Sequence, residues 1–319
     1  MNDMNNGLIT IKDMQKNYGD VKALKGISLD IPTGEVFGIV GPDGAGKTTL
    51  IRILAGVLGY DSGEAYIMEK NLKENLDLIR NDIGYISQRF SLYGDLTVEE
   101  NIDFFMNIFP QHGDSKAKKK ELLDFIGLAP FTKRLAANLS GGMKQKLALL
   151  CSLVHEPKLL LMDEPTTGVD PVSRREFWGT VFNLQKQGLT VLASTPYMDE
   201  AEQFDRVALI NKGEFIRIGT VDQIRESVSG EVLEVMCSQP VKARDTLRGS
   251  SGINDVELFG DKIHVFVNKA DKSITDAIVS RLKSAGVEPG DIRQVSYSIE
   301  DVFLKISSSG GLNGEGGKI

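Results

Sequence analysis

Residues Gly41, Pro42, Asp43, Gly44, Ala45, Gly46, Lys47 and Thr48 fit the spacing GxxxxGK[ST]. Glycines let a backbone fold tightly enough for several N–H groups to face one phosphate. A helix beginning at this point would add the positive end of its dipole. Lys47 is then placed to bridge the β- and γ-phosphates of a nucleoside triphosphate, and the Thr48 hydroxyl to take a coordination position on Mg2+. Further on, the run from Lys158 to Pro165 (KLLLMDEP) is apolar and ends in two carboxylates. A buried strand would hold Asp163 rigidly at the metal. Glu164, one residue on, could polarise an attacking water as a general base.

A phosphate loop alone occurs in proteins of many functions. Leu139 to Gln145 (LSGGMKQ) narrows the choice. Ser140, Gly141 and Gly142 would open a helix, where free N–H groups and a hydroxyl can meet an anion. This segment resembles the signature sequence of ABC (ATP-binding cassette) ATPases, and the strand ending in Asp163-Glu164 resembles their Walker B motif. The resemblance covers residues from about 8 to 225. It implies that ATP and Mg2+ are bound, and that Ser140, Gly141 and Gly142 cap the γ-phosphate held by an opposite cassette. It further implies that Tyr18 stacks on adenine, that Gln88 touches Mg2+ or water, and that Asp170 crosses the dimer interface. ATP would lie against Tyr18, Gly41, Asp43, Gly44, Ala45, Gly46, Lys47, Thr48 and Thr49. The catalytic set would be Glu164, Gln88 and Lys47, and the metal set Thr48, Gln88 and Asp163. Asp43 stands where many members of the family carry Asn.

One departure matters. Members of the family place a histidine after the strand that follows Walker B, in a stretch like Thr-His-Tyr-Met-Asp-Glu-Ala. Here the stretch is Ser194, Thr195, Pro196, Tyr197, Met198, Asp199, Glu200 and Ala201. Pro196 has no side-chain donor for a γ-phosphate. His112, His155 and His264 lie in other segments. The resemblance therefore implies a weak site on this chain's own phosphate loop, and a second cassette, a different chain, that carries the histidine.

The elements that must position these residues alternate. Glu35–Val40 reads as an apolar strand running through the glycines into a helix over Thr48–Leu58. Short strands at Ile9–Met14 and Gly26–Ile31 suggest a small antiparallel sheet. Strand and helix alternate again from Lys158 to Asn211, and the stretch of about 90–156 reads as a helical insert. The expected fold class is α/β: a P-loop NTPase core with an antiparallel β subdomain and a helical subdomain. After Gly230 the pattern becomes strand, helix, two strands, helix, strand. This βαββαβ order predicts a small C-terminal α+β domain over 230–306. Residues 307–319, rich in Ser and Gly, read as a disordered tail. The segment Ile292–Ile306 resembles the small C-terminal domain of exporter ATPases of the daunorubicin-resistance, ABC-2 multidrug type.

Composition sets outer limits. The 319 residues carry 37 basic and 44 acidic side chains, a net charge of −7, which argues against nucleic acid as a partner. The lysines of 116–120 read as a solvated helix face. Two cysteines, Cys151 and Cys237, are too few for a disulfide or metal framework and suit a reducing compartment. No apolar run approaches the roughly 20 residues needed to span a bilayer, and Met1–Gly7 has no signal-peptide apolar region. A transporter built on this chain would thus need a separate transmembrane permease, with the chain peripheral on the cytoplasmic face of the cell membrane. Soluble relatives acting on ribosomes or DNA usually carry two cassettes or a long coiled-coil insertion, and this chain has neither. Against an importer subunit only the C-terminal domain weighs.

Overall fold

The computed structural model describes residues 7–89, 91–109 and 114–308, so His112 lies outside the described residues. The chain divides into two compact units between Thr220 and Val221, ahead of the expected boundary at Gly230.

In the first unit β1 (Ile9–Tyr18) and β2 (Val21–Ile31) form an antiparallel hairpin. Next come β3 (Val36–Val40), α1 (Lys47–Leu54), β4 (Ser62–Ile67), the two-residue β5 (Lys70–Asn71), α2 (Leu76–Arg80) and β6 (Ile83–Ile86). The helical insert holds α3 (Val98–Ile108), α4 (Ser115–Ile126) and α5 (Gly141–Leu153). The unit closes with β7 (Leu159–Asp163), α6 (Pro171–Lys186), β8 (Thr190–Thr195), α7 (Met198–Ala201), β9 (Arg206–Asn211) and β10 (Glu214–Gly219). One sheet has the order β2-β1-β4-β5 and the other β10-β9-β3-β8-β7-β6. In the second sheet β9, β3, β8, β7 and β6 run parallel, and β10 closes one edge antiparallel. All residues of β3, β7 and β8 are buried, which is why these strands read as unbroken apolar runs.

Local signals start the helices. Thr97 and Glu100 form a capping box on α3. Asp170 caps α6, with Pro171 at its first position. The helix α1 stops at Leu54, short of the expected Leu58, and Gly56 follows with φ 67°. The lysine run on α4 is not simply solvated. Lys118 pairs with Glu156 at 2.7 Å, and Lys119 reaches Glu99 at 3.1 Å and Asp103 at 2.6 Å.

The second unit opens with α8 (Val221–Glu226), which packs on its last helix and so sets the division at Thr220. It continues with β11 (Glu231–Cys237), α9 (Pro240–Leu247), β12 (Ile253–Phe259), β13 (Lys262–Val267), α10 (Lys272–Ser284) and β14 (Pro289–Val295). The antiparallel sheet order β12-β13-β11-β14 is that of a split βαβ fold. Leu233, Val235, Leu247, Val265, Ile278 and Leu282 form its own core. A final helix, α11 (Ile299–Ser308), was not expected. Ser298 Oγ accepts from Asp301 N at 3.0 Å, and the Asp301 carboxylate accepts from Ser298 N at 2.8 Å. This reciprocal cap follows the end of β14 at Val295 and starts α11 at Ile299. The expected tail at 307 thus begins inside α11, and residues 309–319 lie outside the described residues.

Candidate active site

Three buried strands end at one edge of the parallel sheet. Val40 of β3 pairs with Thr195 of β8, and Asp163 of β7 pairs with Ser194. The phosphate loop, the two carboxylates and the Pro196 loop therefore leave the sheet together at the strands' carboxyl ends, where open α/β sheets form their sites.

Gly46 sits at the N-cap of α1 with φ 110°, and among the described residues no side chain caps this helix. A Cβ there would lie 2.7 Å from the Ala23 carbonyl oxygen, so the position requires glycine twice over. The uncapped first turn keeps N–H groups available to an anion. Lys47 Nζ donates to the Gly41 carbonyl at 2.8 Å and the Pro42 carbonyl at 3.0 Å, and lies 3.1 Å from Glu164 Oε1. Asp43, its side chain 93% exposed, is 3.9 Å from the same ammonium.

Glu164 has φ 48°, an uncommon conformation for a residue with a side chain. Its N–H is held by the Ser194 carbonyl at 3.1 Å and the Ser194 hydroxyl at 3.0 Å. Gln88 Nε2 donates to Glu164 Oε2 at 2.9 Å. The carboxylate is thus aimed by contacts from three segments, although its backbone alone would not favour the position.

Asp163 is fully buried. Its Oδ1 accepts from Thr48 Oγ1 at 2.9 Å and from Ser194 Oγ at 2.9 Å. Its Oδ2 is buried with no hydrogen-bond partner among the described residues. Burial pushes the Asp163 carboxyl above the usual carboxylate range, while the two hydroxyl hydrogen bonds pull it back. An unpartnered buried carboxylate oxygen beside a threonine hydroxyl is the oxygen-rich donor chemistry that a hard cation such as Mg2+ takes.

Above the loop lies a cavity of about 490 Å3, lined by Tyr18, Gly44, Gly46, Lys47, Thr48, Thr49 and Glu164. Tyr18 is 49% exposed. Val21, Lys22, Ala23, Lys25, Lys212 and Gly213 complete the wall. Those six were missed in the sequence, as was Ser194. Lys212 (φ 48°) and Gly213 (φ 83°) form the tight turn between β9 and β10, for which the Lys-Gly pair was a usable signal. Gly213 N donates to the Ala45 carbonyl at 2.9 Å, and its own carbonyl accepts from Lys25 N at 2.9 Å, so the turn ties the phosphate loop to β2.

Ser140, Gly141 and Gly142 do not line this cavity. Ser140 caps α5 by accepting from Met143 N at 3.3 Å. A Cβ on Gly142 would meet Ser173 of α6 at 2.5 Å, so this glycine lets α5 and α6 touch. Asp170 accepts from Val172 N and Ser173 N, and the hydrogen bonds to Ser173 hold its carboxyl below the usual range. Ser140, Gly141 and Asp170 are exposed. The residues singled out in the sequence thus fall into two groups, one at the phosphate loop and one on an outer face.

No histidine lines the phosphate-loop cavity among the described residues. His155 stacks on Phe109 at 4.1 Å, and His264 belongs to the second unit. A separate cavity of about 280 Å3 is lined by Ile86, Arg89, Leu92, Phe105, Phe109 and Cys151 with their neighbours.

A family model described as ABC transporter matches residues 24–167. Over 307 residues the chain is 32% identical to the daunorubicin resistance ATP-binding protein DrrA3 of Streptomyces coeruleorubidus, covering 94% of this chain and 95% of that one. It is 38% identical over 315 residues to the probable multidrug ABC transporter ATP-binding protein YbhF of Escherichia coli (strain K12), covering 97% of this chain and 53% of that protein. The chain therefore spans about half the length of that relative. Among solved structures, the dimeric ATP-binding cassette MJ0796 bound to ADP and Pi superposes with a TM-score of 0.61 at 28% identity, over 66% of this chain and 98% of that one. The chain belongs to the ABC transporter family, and its first unit has the fold of that family's ATP-binding cassettes. The similarity to the daunorubicin resistance ATP-binding protein runs through both units of the chain. No helix among the described residues is long and apolar enough to cross a membrane.

Proposed function

We propose that this chain binds and hydrolyses ATP as the cassette subunit of an exporter, driving a separate transmembrane permease from the cytoplasmic face of the membrane. The observation that carries the reading is the buried pair at the end of β7. Asp163 has an unpartnered oxygen beside Thr48, and Glu164 is aimed by Lys47 and Gln88.

ATP would enter the 490 Å3 cavity with adenine on Tyr18 and phosphates over the uncapped start of α1. Thr48 and Asp163 would hold Mg2+, with Gln88 beside them, and the ion supplies positive charge at the phosphate oxygens when bound. Lys47 turns its ammonium to the β- and γ-phosphates. Water attacks the γ-phosphorus as the bond from phosphorus to the β–γ bridging oxygen breaks. ADP leaves with that oxygen, inorganic phosphate forms, and the water proton passes to the Glu164 carboxylate.

Ser140, Gly141 and Asp170 on the outer face, with Gly142 buried behind them against α6, serve a second cassette, a different chain carrying the histidine that Pro196 replaces. Losing one positioned contact to developing charge costs roughly 10²–10³ in rate by analogy with oxyanion donors. This chain's own site would then chiefly hold ATP, while its signature segment completes the partner's site. The apolar cleft lined by Ile86, Arg89 and Leu92 flanks Gln88, and Gln88 bonds Glu164. A permease segment in that cleft would bear on the base through one side chain.

The test is purification of the tagged chain from detergent-solubilised membranes of its native cell. A multi-pass membrane protein and a second cassette should co-purify, and the complex should hydrolyse ATP. Recovery with ribosomes, or of a monomer with no ATPase activity in any fraction, would overturn the reading.

A further inference from the structure

Glu200 is 2% exposed, yet it lies on a helix of only four residues, α7. Its carboxylate accepts from three segments. Thr166 Oγ1 donates to Oε1 at 2.6 Å, Arg174 Nε donates to the same oxygen at 2.9 Å, and Thr195 Oγ1 donates to Oε2 at 2.6 Å. Hydrogen bonds to a buried ionised acceptor are the strong kind, and they fix geometry as well as energy.

The donors' positions give this cluster its meaning. Thr166 lies two residues after Glu164. Its neighbour Thr167 reaches Glu164 Oε2 at 3.4 Å. Thr195 is the last residue of β8, immediately before Pro196, and its hydroxyl also accepts from Tyr197 N at 3.0 Å. Arg174 stands one turn into α6, the helix that Asp170 caps, and its guanidinium covers the Tyr197 ring at 4.1 Å. One carboxylate thus joins the segment that aims Glu164, the loop where the family histidine is missing, and the helix that presents Asp170. Arg174 keeps a second anchor in Asp199, at 3.0 and 3.1 Å. Removing Glu200 therefore frees the two threonine segments more than it frees α6.

We infer that Glu200 is a positioning residue for ATP hydrolysis, an inference that rests on the function proposed above. It acts through Thr166 and Thr195, holding Glu164 and the Pro196 loop in register with the end of α6 at the cassette interface. Displacing reacting groups by about 1 Å can cost roughly 10² in rate, so the effect belongs in kcat and leaves ATP affinity alone.

The experiment is steady-state ATP hydrolysis by the full-length chain with Glu200→Ala, Glu200→Gln, Thr195→Val and Thr166→Val, with ATP binding and thermal melting of each. Glu200→Ala should lower kcat about 100-fold with KM within about threefold of wild type. Glu200→Gln, which keeps size and an acceptor, should recover most of that loss. Either threonine variant should lower kcat alone, yet add little in the Glu200→Ala background. Thr195→Val removes a single hydroxyl and decides the matter if Glu200→Ala does not fold. Wild-type kcat in Thr195→Val and Glu200→Ala, or kcat loss matched by loss of ATP binding, would overturn the inference. Glu164→Gln is the control. If it retains turnover, the proposed function has failed and not merely the role of Glu200.

Discussion

Lys47 Nζ lies 3.1 Å from Glu164 Oε1, and the two side chains are only 3% and 5% exposed. The phosphate-loop lysine and the proposed base therefore form a buried ion pair, 117 residues apart by number (164 − 47). Removing one member of such a pair leaves the other charge buried and uncompensated, at a cost of about 3 kcal/mol or more.

Lys47→Ala should accordingly abolish ATP binding and also lower the unfolding midpoint. Adding Glu164→Gln should restore part of the stability without restoring binding. Denaturant titration and nucleotide titration of the single and double variants check this. Unchanged ATP affinity in Lys47→Ala would contradict the assignment of the phosphate loop.

Glu35, just before β3, predicts a pH dependence. Burial raises its carboxyl to about 7 from an ordinary 4.5, with Asp205 and Asp30 adding to the rise and Arg206 opposing it. The folded chain thus holds a proton between about pH 4.5 and 7 that the unfolded chain releases. Its contribution to stability is complete below 4.5 and is lost as pH rises through about 7. Glu35→Gln should gain stability relative to wild type between pH 5 and pH 8, read from denaturant midpoints at each pH. A constant difference across that range would count against the burial effect.

Much of the site was legible because its chemistry restricts residue types. Only glycine suits Gly46, and the paired carboxylates Asp163 and Glu164 are recognisable at the end of an apolar run. Ser194 and Glu200 were not legible in the same way. Their roles depend on pairing across strands and on contacts with Asp163 and Thr166, which no local spacing encodes. The helix α11 was missed for another reason: Ser298 and Asp301 form a capping signature that a β-rich run before it concealed.

The second unit has its own sheet and core, so a chain ending at Thr220 should fold and bind ATP. Circular dichroism melting and nucleotide titration of residues 1–220 test this. Failure to fold would mean that the first unit depends on the second.

Pro196→His should raise turnover by the isolated chain roughly 10-fold or more, since it offers the γ-phosphate a donor that proline lacks. ATP affinity should change little. Rapid hydrolysis by the wild-type chain alone, unimproved by Pro196→His, would remove the argument for a histidine-bearing partner.

In the proposed reaction Glu164 accepts the proton from water attacking ATP held on the Lys47 loop. ATP binding and single-turnover phosphate release by the full-length chain, compared with Glu164→Gln, test it most directly. The variant should bind ATP with affinity within a few-fold of wild type and release phosphate at least about 100-fold more slowly. Undiminished phosphate release from Glu164→Gln, or a wild-type chain that does not bind ATP, would contradict it.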